Sequence, residues 1–300
     1  MKTTSFASRT TSGAPASFVR IDAVLAQGAT RSFEFFPPKS DEESAVLAVT
    51  LKDLEPLQPS FVSVTYRGGP TSRQRTFDLV TQIEQGGQMT AMAHLICVGH
   101  TRQEMKTILR NYELAGVQNV MALGGDVSDD PGQRASEFVH AIDLVEIVSE
   151  SGAFAIGVAA HPQGHPRSLD RVSDRHFLAQ KLAMADFAVT QFFFELREWM
   201  QLVEELGALG VTKPIIPGIM PVTTLSGISR MADMGARVPD ELVNRLNAAH
   251  QRGGAPAVRA EGILAATELC SGLLDARAPG LHFYTLNRST ATREIYNNLF

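Results

Sequence analysis

Short apolar segments recur along the chain and alternate with stretches of helical periodicity. Eight segments are rich in β-branched and aromatic residues, and we predict them as strands: Ser32–Phe36, Phe61–Tyr66, Thr90–Cys97, Asn119–Leu123, Phe154–Ala160, Ala188–Phe194, Pro214–Met220 and Leu281–Leu286. The early strands begin roughly 30 residues apart, which is the length of one strand-and-helix unit. Their almost continuous apolar character is typical of strands that are covered on both faces.

Between these strands lie amphipathic stretches with apolar residues three and four positions apart, which predict helices. The clearest are Glu42–Leu57, Gln103–Ala115, Ser136–Glu150 and Leu196–Leu209. Gly116, Gly152 and Gly210 stand where helix C-caps are expected. The interval between the seventh and eighth strands is about twice the usual length. It holds three more helical patterns, Ser226–Met234, Asp240–Gln251 and Ala257–Leu273.

These elements predict an α/β protein, a single (βα)8 barrel of the TIM type with extra helices between the seventh and eighth strands. We assign residues 16–300 to this one catalytic domain and residues 1–15, rich in Ser, Thr and Ala, to a flexible N-terminal tail. A doubly wound open sheet is the competing architecture, but it usually carries a Gly-rich phosphate turn after its first strand. Here Pro37-Pro38-Lys39 occupies that position.

Composition and charge narrow the class of partner. Acidic residues outnumber basic ones 32 to 27, and the formal net charge of −5 argues against nucleic acid or an anionic membrane. No apolar run reaches the roughly 18 residues that cross a bilayer. The two cysteines, Cys97 and Cys270, are too few for a disulfide framework and are typical of a reducing cytoplasm, where we expect the protein to act. Oligomeric state is left open.

Glu34 is a lone carboxylate inside the aromatic strand Ser32–Phe36, which Pro37 and Pro38 end abruptly. An ionised carboxylate that is buried without a partner costs several kcal/mol. Such a group either finds a cation or takes up a proton, and a protonated carboxyl can act as a general acid. The alternative is a structural ion pair at the end of a strand.

Polar side chains collect at the predicted C-terminal ends of the strands, where the active sites of such barrels lie. In chain order they are Glu34, Thr65, Tyr66, His94, Asp126, His161, His165, Gln191, Glu195 and Tyr284 through Arg288. A ring of such groups predicts a polar pocket. Within it, Gly124-Gly125-Asp126 would allow the backbone to approach a flat or phosphorylated ligand, although a tight turn with Asp126 as helix N-cap fits equally. Lys181 could neutralise a pyrophosphate or simply be solvated.

A metal site is a rival interpretation of the same rim. The residues that could supply nitrogen and oxygen ligands are Glu34, His94, Asp126, His161 and His165. However, His161 and His165 lie four apart in a loop with Pro and Gly rather than on a helix that would fix both on one face. We therefore expect no metal, and a metal-dependent barrel hydrolase is kept as an alternative function.

Six motifs, in order between about residues 30 and 290, resemble the methylenetetrahydrofolate reductase family. They are Ser32–Pro38, Phe61–Tyr66, Ala122–Asp126, Thr190–Phe194, Pro217–Val222 and His282–Arg288. The resemblance implies an oxidoreductase that converts 5,10-methylenetetrahydrofolate to 5-methyltetrahydrofolate with NADH or NADPH as the electron source. Its expected partners are therefore two small molecules, a folate and a nicotinamide dinucleotide.

The resemblance also implies roles for individual residues. Glu34 matches the general acid that helps open the five-membered ring to an N5-iminium cation. Asp126 matches the pterin-side carboxylate that stabilises this cation. Thr65 matches a nicotinamide contact. The implied substrate-binding set consists of Asp126, Gln191, Tyr284, Arg288 and Leu225, the last of which replaces a family Phe that stacks on the substrate.

The departures from the family concern FAD, which most members carry. Flavin-contact positions that agree are Tyr66, His94, Gly125, Asp126, Ala141, His165, Asp174 and Lys181. Positions that differ are Gly124 and Gln180, where the family has Arg, His140 and His161, where it has Tyr, and Phe177, where it has Asn. Each lost charge-assisted hydrogen bond is worth roughly 1.5–3 kcal/mol, so the resemblance makes tight FAD binding doubtful.

We therefore expect NADH to bind in this cleft, which also includes Thr65, Gly124 and His161, and to pass hydride directly to the folate. Both substrates would then be bound together, which gives sequential kinetics. An FAD-dependent reductase with ping-pong kinetics is the nearest alternative. A folate-binding protein that has lost catalysis is another, against which the retention of Glu34 and Asp126 argues.

Overall fold

The computed structural model describes residues 19–66, 70–125 and 136–300. Eight parallel strands close into a barrel in sequence order, and the last strand pairs with the first. They are β1 (Thr30–Phe35), β2 (Phe61–Val64), β3 (Ala91–Ile96), β4 (Asn119–Leu123), β5 (Ala155–Ala160), β6 (Phe187–Phe192), β7 (Ile215–Ile219) and β8 (Gly280–Tyr284). The predicted (βα)8 fold is thus confirmed. The predicted tail over residues 1–15 lies outside the described residues.

Helices alternate with the strands. They are α1 (Ile21–Leu25), α2 (Asp41–Leu54), α3 (Pro70–Gly86), α4 (Arg102–Leu114), α5 (Ala141–Ser151), α6 (Arg171–Leu182), α7 (Leu196–Ala208), α8 (Leu225–Asp233), α9 (Asp240–Asp275) and α10 (Thr290–Leu299). None of the helices in the described ranges combines the length and the apolar character that a membrane crossing needs.

Two predicted helices have different ends in the structure. The helix predicted from Ser136 begins at Ala141, because the Asp143 carboxylate accepts the backbone N–H groups of Val139 and His140 at 2.8 and 3.0 Å and caps the helix there. The helix predicted to reach Leu57 ends at Leu54 and continues as a single 3₁₀ turn, Glu55–Leu57. Pro56 lies in that turn, and it cannot donate the hydrogen bond that an α-helix would need.

The long interval before β8 contains α8 and α9, as the spacing of apolar residues predicts. The two helices predicted at Asp240–Gln251 and Ala257–Leu273 are the two arms of α9, which breaks at Gly253 and Gly254. Gly254 has φ 62°, in the left-handed region that glycine adopts without steric cost. Pro256, two residues after Gly254, lies in the first turn of the second arm, where proline is tolerated.

The interior of the barrel is apolar in its lower half and polar in its upper half. Side chains at alternate strand positions fill the lower half: Phe61, Met92, Met121, Ala155, Phe187, Val189 and Ile216. Ile21 of α1 packs onto them, and its N–H donates to Asn119 Oδ1 at 2.8 Å at the start of β4. Two residues further along β2 and β3 the buried positions are polar, with Ser63 after Phe61 and His94 after Met92. The sequence therefore fills one end of the barrel with apolar side chains and places polar and ionisable side chains at the other.

Gly218 on β7 pairs with Phe192 of β6 and His282 of β8 and leaves no room for a side chain. A methyl group added there would lie 2.2 Å from the Thr190 backbone oxygen and 2.6 Å from Tyr284 Cε2. We expect Gly218→Ala to lower the free energy of unfolding by about 2–3 kcal/mol, measured by urea denaturation. Gly207→Ala is the matched control, because nothing lies within 4 Å of its added methyl group. That helix substitution should stabilise by about 0.5–1 kcal/mol, and equal effects of the two changes would contradict this account.

Candidate active site

Glu34 lies in the polar upper half of the barrel with 7% of its surface exposed. Its Oε2 atom is 3.5 Å from Nε2 of His94 on β3 and 3.6 Å from Nε2 of His282 on β8. These two imidazoles are its ion-pair partners among the described residues. The carboxyl is buried, as predicted. Its partners are imidazoles, which can gain or lose a proton, whereas a Lys or Arg partner would carry a permanent positive charge.

Two neighbours of Glu34, His94 and Tyr284, are held in neutral forms by their surroundings. Burial lowers the pKa of His94, and the Glu34 carboxyl only partly opposes this effect. Burial, with the Glu34 charge in addition, raises the pKa of Tyr284 well above its usual range. The Tyr284 phenol donates to the Thr190 backbone oxygen at 2.7 Å. The acid therefore faces an uncharged imidazole and an uncharged phenol at neutral pH.

The loop after β8 fixes the end of β1, and thereby the backbone of the acid. Thr285 Oγ1 donates to the Glu34 backbone oxygen at 2.6 Å. The Asn287 side chain accepts from the Phe36 N–H at 2.8 Å and donates to the Phe36 oxygen at 2.9 Å. Leu286 and Asn287 both have positive φ angles, 51° and 56°, which turn the chain back onto β1. The motif His282–Arg288 thus clamps the strand that carries Glu34.

Thr65 and Tyr66 come directly after β2, which ends two residues earlier than predicted. The Thr65 N–H still donates to the Phe35 oxygen at 2.9 Å, so both residues stay against the barrel mouth. Thr65 Oγ1 is buried and has no hydrogen-bond partner among the residues described. Tyr66 OH lies 3.2 Å from His100 Nε2. The Thr65 hydroxyl is thus a buried polar group at this edge whose hydrogen-bonding capacity the described residues do not use.

The glycine turn after β4 is held tightly against its neighbours. Gly125 has φ +83°, and the Gly124 oxygen accepts from Val98 N at 3.1 Å. Arg167 Nη2 donates to the Gly125 oxygen at 3.1 Å and lies 3.9 Å from the point where a methyl group on Gly124 would be. A guanidinium from a distant loop therefore covers the small residue at 124. Asp126, the predicted partner of Glu34, lies outside the described residues.

A cluster of basic groups follows β5 and extends into α6. The rings of His161 and His165 are 4.6 Å apart and nearly perpendicular. Asp174 accepts from the His165 N–H at 3.2 Å and pairs with Arg175 at 2.5 Å. Lys181 donates to the Ala159 oxygen at 3.2 Å, and burial lowers the pKa of its amine while Asp174 opposes the shift. Asp174 and Lys181 are thus already engaged within the protein.

The other predicted site residues lie on the rim. The Gln191 amide donates to the Met234 oxygen at 3.0 Å, and Leu225 begins α8 and packs in the apolar cluster around Phe192. Ala141 begins α5. The exposed rim positions are His140, Phe177, Gln180 and Arg288, with 58% of Phe177 accessible. Among the described residues, no group of three or more His, Cys, Asp or Glu side chains is placed to hold a metal ion.

His282, Ser32 and Arg167 are the site residues that sequence reasoning missed. The sequence marks His282 and Ser32 only as members of family motifs. Both are polar residues in apolar strands, and each is two positions before another site residue: Ser32 before Glu34, and His282 before Tyr284. Residues two apart in a strand point to the same face. That alternation is the signal that could have found them. Arg167 gave no comparable signal, because its position above the glycine turn depends on the path of a loop.

Fold and site together define a (βα)8 barrel with an acid enclosed between imidazoles, and sequence comparisons assign the family. The family model described as methylenetetrahydrofolate reductase matches residues 20–300. The chain belongs to the methylenetetrahydrofolate reductase family. The 5,10-methylenetetrahydrofolate reductase of Salmonella typhimurium is 34% identical over 270 residues, which cover 89% of this chain and 90% of that protein. The predicted family resemblance is confirmed.

Other relatives extend the comparison. Methylenetetrahydrofolate reductase (NADH) 1 of Arabidopsis thaliana is 33% identical over 297 residues, 93% of this chain and 50% of that protein. A solved structure, described as an uncharacterized protein from Clostridium thermocellum that binds two copies of 5-methyl-5,6,7,8-tetrahydrofolic acid, superposes with a TM-score of 0.67. The two chains are 10% identical, with 94% of this chain and 98% of that one covered. At this identity the similarity shows the fold alone.

Burial of the His161 ring, with His165 beside it, lowers its pKa from 6.5 to about 4. The unfolded chain then binds more protons than the folded one between these values, so the free energy of unfolding should fall as pH falls through this window. In His161→Gln the loss of unfolding free energy between these pH values should be smaller than in the wild type by up to about 3 kcal/mol. Partial solvent exposure of the ring reduces this difference. Urea unfolding measured across the window tests this. The exposed His250→Gln should match the wild type, and an unchanged slope in His161→Gln would contradict the assignment.

Proposed function

We propose that this protein reduces 5,10-methylenetetrahydrofolate to 5-methyltetrahydrofolate with hydride taken directly from NADH. The observation that carries the proposal is the Glu34 carboxyl, enclosed between His94 and His282 in the barrel interior. Family membership supplies the reaction class, and two plant relatives have NADH in their names. The barrel neighbour described as binding 5-methyltetrahydrofolic acid supports a folate as ligand.

The proposed reaction uses one proton and one hydride. Glu34 gives its proton to N10 of the folate as the bond from N10 to the bridging carbon breaks, which leaves an iminium cation at N5. The hydride then passes from the dihydronicotinamide to the bridging carbon, which becomes the N5 methyl group, and NAD⁺ is formed. We propose Asp126 as the carboxylate that faces the cation and Gln191 as the amide beside the pterin.

A resident FAD would act as a relay for the hydride, but the residues at the rim do not suit it. Asp174 is held by Arg175 and His165, and the Lys181 amine is used by the Ala159 oxygen. Phe177 presents an exposed ring where a polar amide would be needed. These contacts offer few charge-assisted hydrogen bonds to a second dinucleotide, so we derive no step through a flavin.

The nicotinamide dinucleotide needs a partner for its pyrophosphate. Arg167 is exposed, lies on the Gly124-Gly125 turn and already points a guanidinium nitrogen at the Gly125 oxygen. An exposed guanidinium on a glycine turn is well suited to a phosphate. We propose that Arg167 binds the pyrophosphate, with Thr65 at the nicotinamide end.

We further place the protein in the cytoplasm, since Cys97 and Cys270 are both free, buried thiols.

Direct hydride transfer predicts that both substrates are bound at once. The purified protein should carry no flavin absorption band, and initial rates with NADH and methylenetetrahydrofolate varied together should give intersecting double-reciprocal lines. Added FAD should leave the rate unchanged. A stoichiometric flavin chromophore or parallel lines would instead establish the FAD-dependent reaction, and absence of 5-methyltetrahydrofolate among the products would refute the reductase itself.

Glu34→Gln removes the transferable proton and keeps nearly the same shape. We expect kcat to fall by about 10²- to 10⁴-fold, while the dissociation constant for 5-methyltetrahydrofolate, measured by calorimetry, changes little. Glu43→Gln, in the exposed first turn of α2, is the matched control and should keep full activity. Full activity in Glu34→Gln would show that another group is the acid.

A further inference from the structure

Ser32 and His282 form a buried pair next to the acid. They are register partners on β1 and β8, and both side chains are fully buried. Ser32 Oγ lies 2.8 Å from His282 Nδ1. On the same strands, Glu34 is the register partner of Tyr284 and lies two residues beyond Ser32. The pair therefore contacts the carboxyl through the other ring nitrogen, Nε2.

The Ser32 hydroxyl has one proton, which it can donate either to His282 Nδ1 or to the Leu281 backbone oxygen. Ser32 Oγ lies 3.4 Å from the Leu281 backbone oxygen, which can only accept a hydrogen bond. When Ser32 donates to this carbonyl, its oxygen is left as an acceptor for His282 Nδ1. Nδ1 must then carry a hydrogen, and a neutral imidazole has its lone pair on Nε2.

In this tautomer the lone pair on Nε2 faces the acid. His282 Nε2 is 3.6 Å from Glu34 Oε2, and no group within the described ranges makes a hydrogen bond to it. A lone pair in this position repels a carboxylate and attracts the O–H of a carboxylic acid. Because both groups are buried, solvent does little to screen this preference.

The remaining neighbours of the carboxyl do not reverse this preference. Ser63, its register partner on β2, is uncharged. His94 from β3 and Tyr284 from β8 are kept neutral, since burial lowers the pKa of His94 and raises that of Tyr284. No fixed cation among these neighbours stabilises an ionised Glu34.

We propose that Ser32 and His282 are positioning residues that keep Glu34 supplied with its proton: Ser32 selects the Nδ1–H form of His282, and Nε2 of His282 holds the proton of the acid. This inference rests on the proposed function, in which Glu34 is the general acid. Both side chains are fully buried, so we assign the pair an action through Glu34 alone.

The tautomer of His282 can be measured without any turnover. ¹⁵N NMR of the full-length protein labelled at histidine, with His282→Asn used to assign the signal, should show hydrogen on Nδ1 at neutral pH. In Ser32→Ala the acceptor is lost, and the hydrogen should move to Nε2, where it favours the ionised carboxylate. Ser32→Thr keeps the hydroxyl and should keep the Nδ1–H form. A wild-type imidazole with its hydrogen on Nε2 would overturn the proposal.

The catalytic consequence is a shift in pH dependence. The single-turnover rate of hydride transfer needs protonated Glu34, so it falls at high pH. In Ser32→Ala this fall should occur about one pH unit lower than in the wild type, and Ser32→Thr should restore it. An unchanged pH profile in Ser32→Ala would contradict the proton-holding role. If the protein reduced no folate at all, the proposed function would fail, and the tautomer measurement would still decide whether Ser32 controls His282.

Discussion

The enclosure of one carboxyl group inside the barrel is the constraint on which the rest of the structure depends. Glu34 is nearly buried, and an unpaired charge in that position would cost several kcal/mol. The barrel therefore cannot be apolar throughout. Its lower half is sealed by aromatic and aliphatic side chains, and its upper half surrounds the acid with imidazole, phenol and hydroxyl groups. The polar side chains of the interior are thus found on the same side as this group.

The sequence predicts the fold well because each strand and helix leaves a local pattern. Apolar runs and three- and four-residue spacing are visible without knowing what packs against them. Glu34 is also predictable, since a lone carboxylate between aromatic residues is unusual wherever it lies. The partners of Glu34 are harder to find. Ser32 and His282 are 250 residues apart, and only the closure of the barrel, with its particular register, brings their side chains to 2.8 Å.

The rim of the barrel is less predictable than its interior for a related reason. Strand positions are fixed by backbone hydrogen bonds, whereas loop residues reach across gaps that the sequence does not specify. Arg167 illustrates this, because its guanidinium lies on the glycine turn of a different loop. A motif that lacks an arginine at position 124 can therefore still have a guanidinium nearby. Comparing sequences position by position tests which residue is present, not which chemical group occupies the space.

The clamp formed by Asn287 has a consequence for how the protein acquires activity during folding. Its amide joins the loop after the last strand to the backbone of the first, and His282 comes from that same last strand. The surroundings of the Glu34 carboxyl are thus complete only when the two ends of the barrel meet. A chain emerging from the ribosome carries Glu34 early, but the carboxyl lacks these neighbours until β8 and the loop after it have been made. The setting of this carboxyl and the closure of the barrel therefore form together.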